Sequence, residues 1–332
     1  MKLLRVPLAL LLALAAPACT SGREVVVYTS VDQVFSEPIF RAFEREQKIR
    51  VRAVYDTEET KSTGVVNRLV AEGRRPQADV FWSNDPVRPF LLVNRGLVQP
   101  YLSPQAAAIP PAFKAADGAW TGFAARARVL LVNRGRVPRD QTPRSVRDLA
   151  DPRWKGQTAI ANPLYGTTTM HVAALFLAWG DADGRKFMER LKANGVRIVS
   201  SNGEVKRLVT AGEVAFGVAD TDDGFEAIKD GAPIEVVYPD QDSLGTLVMP
   251  TTTVLVRGAP HSEAGRRLID HLLTPEVERR MAESAHVPVR PGVATPAGVK
   301  PLGQVRPMPV DYGRVADEMQ RLQPWLRQWV GL

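Results

Sequence analysis

Three carboxylates, Asp220, Asp222 and Asp223, stand close together in the stretch GEVAFGVADTDDGFEAI. They follow an apolar run over 214–219 that reads as a buried strand, so they sit where that strand gives way to a loop. Converging carboxylates cannot all stay ionised in a closed space unless a cation lies between them. Hard oxygen donors suit Fe³⁺, Ca²⁺ or Mn²⁺ rather than copper or zinc, and a cationic organic group would serve as well. Two more acidic residues hold equivalent places: Asp32 after a strand over 25–28, and Asp85, beside Asn84, after a strand over 79–82. Asp32, Asp85, Asp222 and Asp223 would then all lie on loops leaving the carboxyl ends of strands. Ordinary structural roles compete with a ligand role. Asp223 and Glu226 have capping-box spacing, Asn84-Asp85-Pro86 is a helix-start turn, and Asp32 could be a solvated loop residue. Of the adjacent pair, Asp222 is the stronger ligand candidate.

Groups suited to an anion lie elsewhere in the chain. Arg126 and Arg128 in FAARARVLLVN are two residues apart in an extended run, hence on one face. They could hold an anion or form a salt bridge between lobes. The stretch YGTTT, Tyr165 to Thr169, opens a helix. Its free N–H groups, hydroxyls and helix dipole could cradle phosphate, carbonate or a carboxylate, or the threonines could simply cap. The ligand-binding set is Thr29, Ser30, Asp32, Asn84, Asp85, Arg126, Gly166, Thr167, Thr168 and Asp222. Tyr238, Asp240 and Gln241 read more readily as a turn than as cleft lining.

Signals for catalysis are weak. The only histidines are His171, His261, His271 and His286, and there is no HExxH, GxSxG, P-loop or GxGxxG motif. The chain reads as a binding protein without a catalytic cofactor; a metal-dependent hydrolase using the aspartates is the alternative of a different class. The formal net charge is +7, with 43 Lys+Arg against 36 Asp+Glu, but the basic residues are scattered and never interleaved with aromatics. Nucleic acid is thereby excluded as a partner.

Lys2 and Arg5 precede an apolar run over 8–16, then Pro17, Ala18 and Cys19. This is the layout of a secretory signal over 1–18, and its apolar run is too short for a core about 30 Å thick. Cys19, the only cysteine, is placed for lipid modification after cleavage, which anchors a periplasmic lipoprotein; ordinary cleavage to a free periplasmic protein is the alternative. No cysteine remains for a disulfide or a thiolate metal site.

The rest of the chain is long enough for two domains. Strands over 25–28, 51–55 and 79–82 alternate with helices over 38–46, 62–72 and 87–94, an order that implies a parallel sheet. A long extended run over 123–133 follows. A second series has strands over 158–161, 196–199 and 214–219 and helices over 168–179, 187–193, 203–211 and 225–229. Another extended run over 247–256 leads to helices over 262–273, 275–284 and 315–330. The fold class is α/β with two lobes, each a sheet flanked by helices, and two crossover strands as the hinge. Lobe 1 takes 24–122 and 252–290, lobe 2 takes 123–251, and a helical tail over 291–332 packs on lobe 2. Ligands of open α/β sheets bind beyond the carboxyl ends of the strands, so an interlobe cleft that closes by hinge motion is the natural site.

The segments VVVYTSVDQ, PQADVFWSND, WTGFAARARVLLVN, LADPRWKGQTAIANPLYGTTT, LVTAGEVAFGVADTDD, VVYPDQDSLGTLVMPTTTVLVRGAPH and LIDHLLTPEVERRMAES carry a resemblance. Their order and spacing resemble the iron(III)-binding branch of bacterial periplasmic solute-binding proteins, type II. The resemblance implies a two-lobed monomeric receptor that feeds an ABC importer permease. It also implies ferric iron as cargo, with carbonate or phosphate as companion anion and Arg126 of the RARV run holding that anion. The chain departs from the family's usual donors. Thr221, Asp222 and Asp223 stand where two adjacent tyrosines are common, Asp32 where a histidine is, and Asn84 and Asp85 where a Glu or Gln pair is. The replacements remain largely oxygen donors, so what the resemblance implies as the metal set is Asp32, Asp85, Asp222 and Asp223. A phosphonate, phosphate or small carboxylate, held by Arg126 and the threonine cluster, is the alternative cargo.

Overall fold

The computed structural model describes residues 24–56, 64–295 and 299–332. The expected signal peptide, Cys19 and the first residues of the helix expected over 62–72 lie outside the described residues. The first series runs β1 (Glu24–Thr29), α1 (Gln33–Gln47), β2 (Arg50–Tyr55), α2 (Gly64–Ala71), β3 (Val80–Ser83), α3 (Val87–Val93) and the short β4 (Val98–Gln99). Next come the long β5 (Thr121–Asn133), β6 (Thr158–Ala161), α4 (Gly166–Trp179), α5 (Asp181–Ala193), β7 (Arg197–Val199) and α6 (Asn202–Thr210). The chain continues through β8 (Phe216–Asp220), α7 (Thr221–Lys229), β9 (Ile234–Val237) and β10 (Val248–Val256). It ends with α8 (Ser262–Leu272), α9 (Pro275–Ala282) and α10 (Tyr312–Val330).

The strands line up in the order β2-β1-β3-β10-β5-β8-β6-β7, with β4 on β10 and β9 on β5. β1 pairs in parallel with β2 and β3, and β6 pairs in parallel with β7 and β8. The inner strands β3, β6 and β8 are short and fully buried, as parallel strands covered on both faces must be, whereas β2 and β7 at the two ends of the order have no fully buried residue. The join is made by β5 and β10, which pair antiparallel with a register shift between Pro250 and Thr251. The first part of β5, to Ala127, pairs with β10; from Arg128 onward it pairs with β8 and β9. Two half-sheets therefore share one continuous strand, as the two extended runs predict.

α1 begins at Gln33, earlier than the expected 38, and carries Pro38 inside. Proline deprives the carbonyl four residues back of its helical partner; that residue, Val34, is 71% exposed, where water can take its place. β4 and β9 were not foreseen. One is two residues long, and the other is a four-residue edge run. The tail, expected to pack on residues 123–251, does not pack on them alone: α10 lies against α3 as well as α4, burying Leu322, Leu326 and Trp329, and its Tyr312 hydroxyl donates to the Val248 carbonyl at 2.8 Å.

Gly217 lies between Leu131 of β5 and Ala159 of β6. A Cβ there would meet Val205 Cγ1 at 2.6 Å and the Ala159 carbonyl oxygen at 2.7 Å. Gly217→Ala should destabilise by about 1–3 kcal/mol in urea titration. Gly203→Ala, inside α6 with only the Ser201 hydroxyl at 3.7 Å, should be neutral or stabilising by up to about 1 kcal/mol.

Candidate functional site

The site is built where β5 changes sheets. Arg128 and Asp220 are direct cross-strand partners of β5 and β8. Arg128 is fully buried; its Nη1 donates to Asp220 Oδ1 at 2.6 Å, Thr167 Oγ1 at 2.9 Å and Asn202 Oδ1 at 3.1 Å, and its Nη2 to Thr168 Oγ1 at 3.2 Å. One guanidinium thus ties together the end of β8 and the first turns of α4 and α6. Thr167 also donates to Asp220 Oδ2 at 3.1 Å and accepts from Asn202 Nδ2 at 3.0 Å.

Arg126, two residues earlier, reaches both halves. Its Nη1 donates to Asp220 Oδ2 at 3.2 Å and lies 3.5 Å from Asp222 Oδ2, while its Nη2 donates to the Asn84 carbonyl at 2.9 Å. Asn84 is held by Ser30, whose hydroxyl donates to Asn84 Oδ1 at 3.1 Å and accepts the Asn84 N–H at 3.0 Å. The loops after β1 and β3 therefore meet the loop after β8 through one side chain.

The three aspartates gather as their spacing suggests: one carboxylate oxygen from each of Asp220, Asp222 and Asp223 lies within 4.8 Å of the others. The helix behind them starts one turn earlier than expected. Asp220 is the N-cap of α7, and its N–H donates to Asp223 Oδ2 at 3.2 Å, so the cap pairing is 220 with 223 rather than 223 with 226. Starting the helix there frees the Thr221 hydroxyl to accept the Ala127 N–H at 3.2 Å.

Charge does not balance in this cluster. Burial pushes the Asp223 carboxyl up to about 7, with Asp222 and Asp220 adding to the effect. Burial and Asp220 also raise Asp222 against the pull of Arg126. Burial alone would weaken the Arg126 cation, but Asp222, Asp220, Asp223 and Asp85 together hold it more firmly protonated than a free guanidinium. Asp222 Oδ1 is buried with no hydrogen-bond partner among the described residues, and the same holds for Nε of Arg126 and of Arg128. His286, also buried, is pushed down to about 3 by burial and by Arg126, and stays neutral beside the site.

Several expected residues stand elsewhere. Thr29 is buried inside the sheet, its hydroxyl donating to the Trp82 carbonyl at 2.8 Å and accepting the Val31 N–H. Asp85 Oδ1 accepts the N–H groups of Val87 and Arg88, so this carboxylate starts α3 and touches the cluster only through its field on Arg126. Asp32 is the exposed N-cap position of α1 and is not in the acidic trio. Gly166 opens α4 at φ 59°, and the hydroxyls of Thr167 and Thr168 are already engaged by Arg128 rather than forming an open cradle. Asp240 accepts from the Ser145 hydroxyl and the Val146 N–H, the turn role expected of it. Sequence reasoning passed over Asp220 as a member, although its place at the strand end was visible, and over Asn202, which carried no signal. A cavity of about 450 Å³ lies apart from the cluster, between α5 and residues 147–152; Arg147, Lys186 and Arg190 there face Asp148, Asp151 and Asp183 without converging.

Residues 76–308 match the family model described as bacterial extracellular solute-binding protein. The chain is 26% identical over 297 residues to iron uptake protein A1 of Synechocystis, covering 86% of this chain and 81% of the relative. It is 27% identical over 344 residues to a putative 2-aminoethylphosphonate-binding periplasmic protein of Salmonella typhimurium, covering 99% and 94%. Iron-bound HitA from Pseudomonas aeruginosa superposes with a TM-score of 0.81 at 22% identity, covering 93% of this chain and 100% of that one, so the two-lobed type II fold is shared. With this fold, and with its match over most of its length, the chain belongs to the bacterial extracellular solute-binding protein family.

Proposed function

We propose that the protein captures ferric iron with a companion oxyanion between its two lobes and delivers it to an ABC permease. The observation that carries this reading is the uncompensated acid of the cluster. Three carboxylates and the field of Asp85 surround Arg126 and Arg128, and Asp222 keeps a buried oxygen with no partner among the described residues. An added cation would relieve a cost that burial imposes on both Asp222 and Asp223. Relatives named for iron uptake support Fe³⁺ over Ca²⁺, and Arg126 is the residue we assign to the anion, carbonate or phosphate. The lobes in this reading are 24–122 with 252–290, and 123–251, with 291–332 as the tail. The protein works in the periplasm as a monomer anchored through a lipidated Cys19, and it binds rather than turns over its cargo.

A second reading is favoured by one observation: guanidinium and carboxylate groups share the same few ångströms around Arg126. A zwitterionic aminophosphonate would satisfy both, as the Salmonella relative's name suggests for that protein.

Isothermal titration of chelator-stripped protein with ferric citrate should show 1:1 uptake, and Asp222→Asn should weaken it at least about tenfold, about 1.4 kcal/mol. No uptake of iron alongside 1:1 uptake of 2-aminoethylphosphonate would replace the first reading with the second. Cation binding near pH 7 should also expel protons from Asp223, seen as a buffer-dependent heat that Asp223→Asn removes.

The sign for stability follows from the same raised carboxyl. A group whose folded pKa exceeds its unfolded value stabilises below the unfolded pKa and loses that contribution as pH rises through the folded one. Between pH 6.5 and 8, ligand-free protein should therefore lose up to about 1 kcal/mol that Asp223→Asn does not lose, read as Tm against pH.

A further inference from the structure

A second buried charge cluster lies beside the strand that joins the half-sheets, and cargo binding does not use it. Glu278 of α9 is fully buried. Its Oε1 accepts the Ala124 N–H at 3.1 Å and the Val289 N–H at 3.0 Å, and its Oε2 lies 3.3 Å from Arg290 Nε. Arg290 in turn donates to the carbonyls of Leu273 at 2.5 Å and Gln105 at 2.8 Å.

Ala124 is an unusual partner. It has φ 45°, which an L side chain rarely adopts, and it stands in β5 next to the register shift at Pro250 and Thr251. Its neighbour Ala125 exchanges both backbone bonds with Val287, at 2.7 and 2.5 Å. Ala124 is thus the residue skipped in the β5–β10 ladder, and it and Ala125, which still stands opposite Pro250, are tied on their other side to α9 and the segment after it. A left-handed alanine in a strand is strained and persists only where its surroundings over-determine it. A fully buried carboxylate is itself costly unless paired and hydrogen-bonded. Both costs fall at one point, just before the residue where β5 leaves one half-sheet for the other.

We propose that Glu278 is a positioning residue for the interlobe hinge: by holding the Ala124 N–H it fixes the bend of β5 and so sets the resting angle between the lobes. Arg126 lies two residues along the same strand, so this bend also decides where the Arg126 guanidinium enters the cleft.

The test needs no ligand and so stands apart from the identity of the cargo. Spin labels at cysteines replacing exposed Arg45 of α1 and Lys186 of α5, in a Cys19→Ser chain, report the interlobe distance by pulsed electron resonance. Glu278→Gln should shift or broaden that distribution by several ångströms at a temperature where circular dichroism shows the fold intact. Asp79→Asn, another fully buried carboxylate that accepts the N–H groups of Val26 and His261 away from the bend, should lower Tm and leave the distribution unchanged. Should Glu278→Gln fail to fold, Glu278→Asp, which keeps the charge but shortens the reach to the Ala124 N–H, decides in its place and should shift or broaden the distribution. A wild-type distribution in the deciding variant, or an equal change in Asp79→Asn, would overturn the proposal.

Discussion

The contact between Arg128 and Asp220 is the one on which the site depends. Both side chains are essentially removed from water, and their bond is among the shortest in the cluster. A buried ion pair of this kind contributes little net stability by itself, because desolvation offsets most of its attraction. Its value is positional. Leaving either partner unpaired would be far more costly than keeping both, so the end of β8 and the starts of α4 and α6 must stay where Arg128 can reach them. Arg126 and the two remaining aspartates inherit their places from that arrangement.

The site therefore has a rigid side and an adjustable side. The rigid side is the dense network of Arg128, Thr167, Thr168 and Asn202, in which both terminal nitrogens of Arg128 are engaged while its Nε lacks a partner among the described residues. The adjustable side is Arg126, which divides its donors between a backbone carbonyl of one half and carboxylates of the other. A group shared in this way has fewer bonds to break within either half, whereas Arg128 would have to leave four acceptors to move. Two arginines on one face of one strand are thus engaged differently: Arg128 within one network, Arg126 across the two halves.

Much of this was legible in the residues. The alternation of short apolar runs with amphipathic ones predicted the order of strands and helices, and the two long extended runs predicted the shared strand. The gathering of acidic residues at 220–223 followed from their position at a strand end. What the residues do not show is which backbone groups claim each side chain. Asp85 and Thr29 carry the right atoms in the right loops, but backbone N–H and carbonyl groups nearby claim them first, and sequence spacing does not reveal which way such competition falls. The cap of α7 was displaced by one turn for the same reason, since two aspartates three apart each could have served. Asn202 gained its role only from long-range packing. The strain at Ala124 was likewise invisible, because nothing about an alanine in an apolar run signals a left-handed backbone.

The C-terminal helix adds a consequence of a different kind. Because α10 lies against both α3 and α4 while its first residue is pinned to β10, the halves are strapped together along a third line besides the paired strands. Any movement of one half against the other must therefore work against the contacts of α10 with α3 and α4 as well as the pairing of β5 with β10.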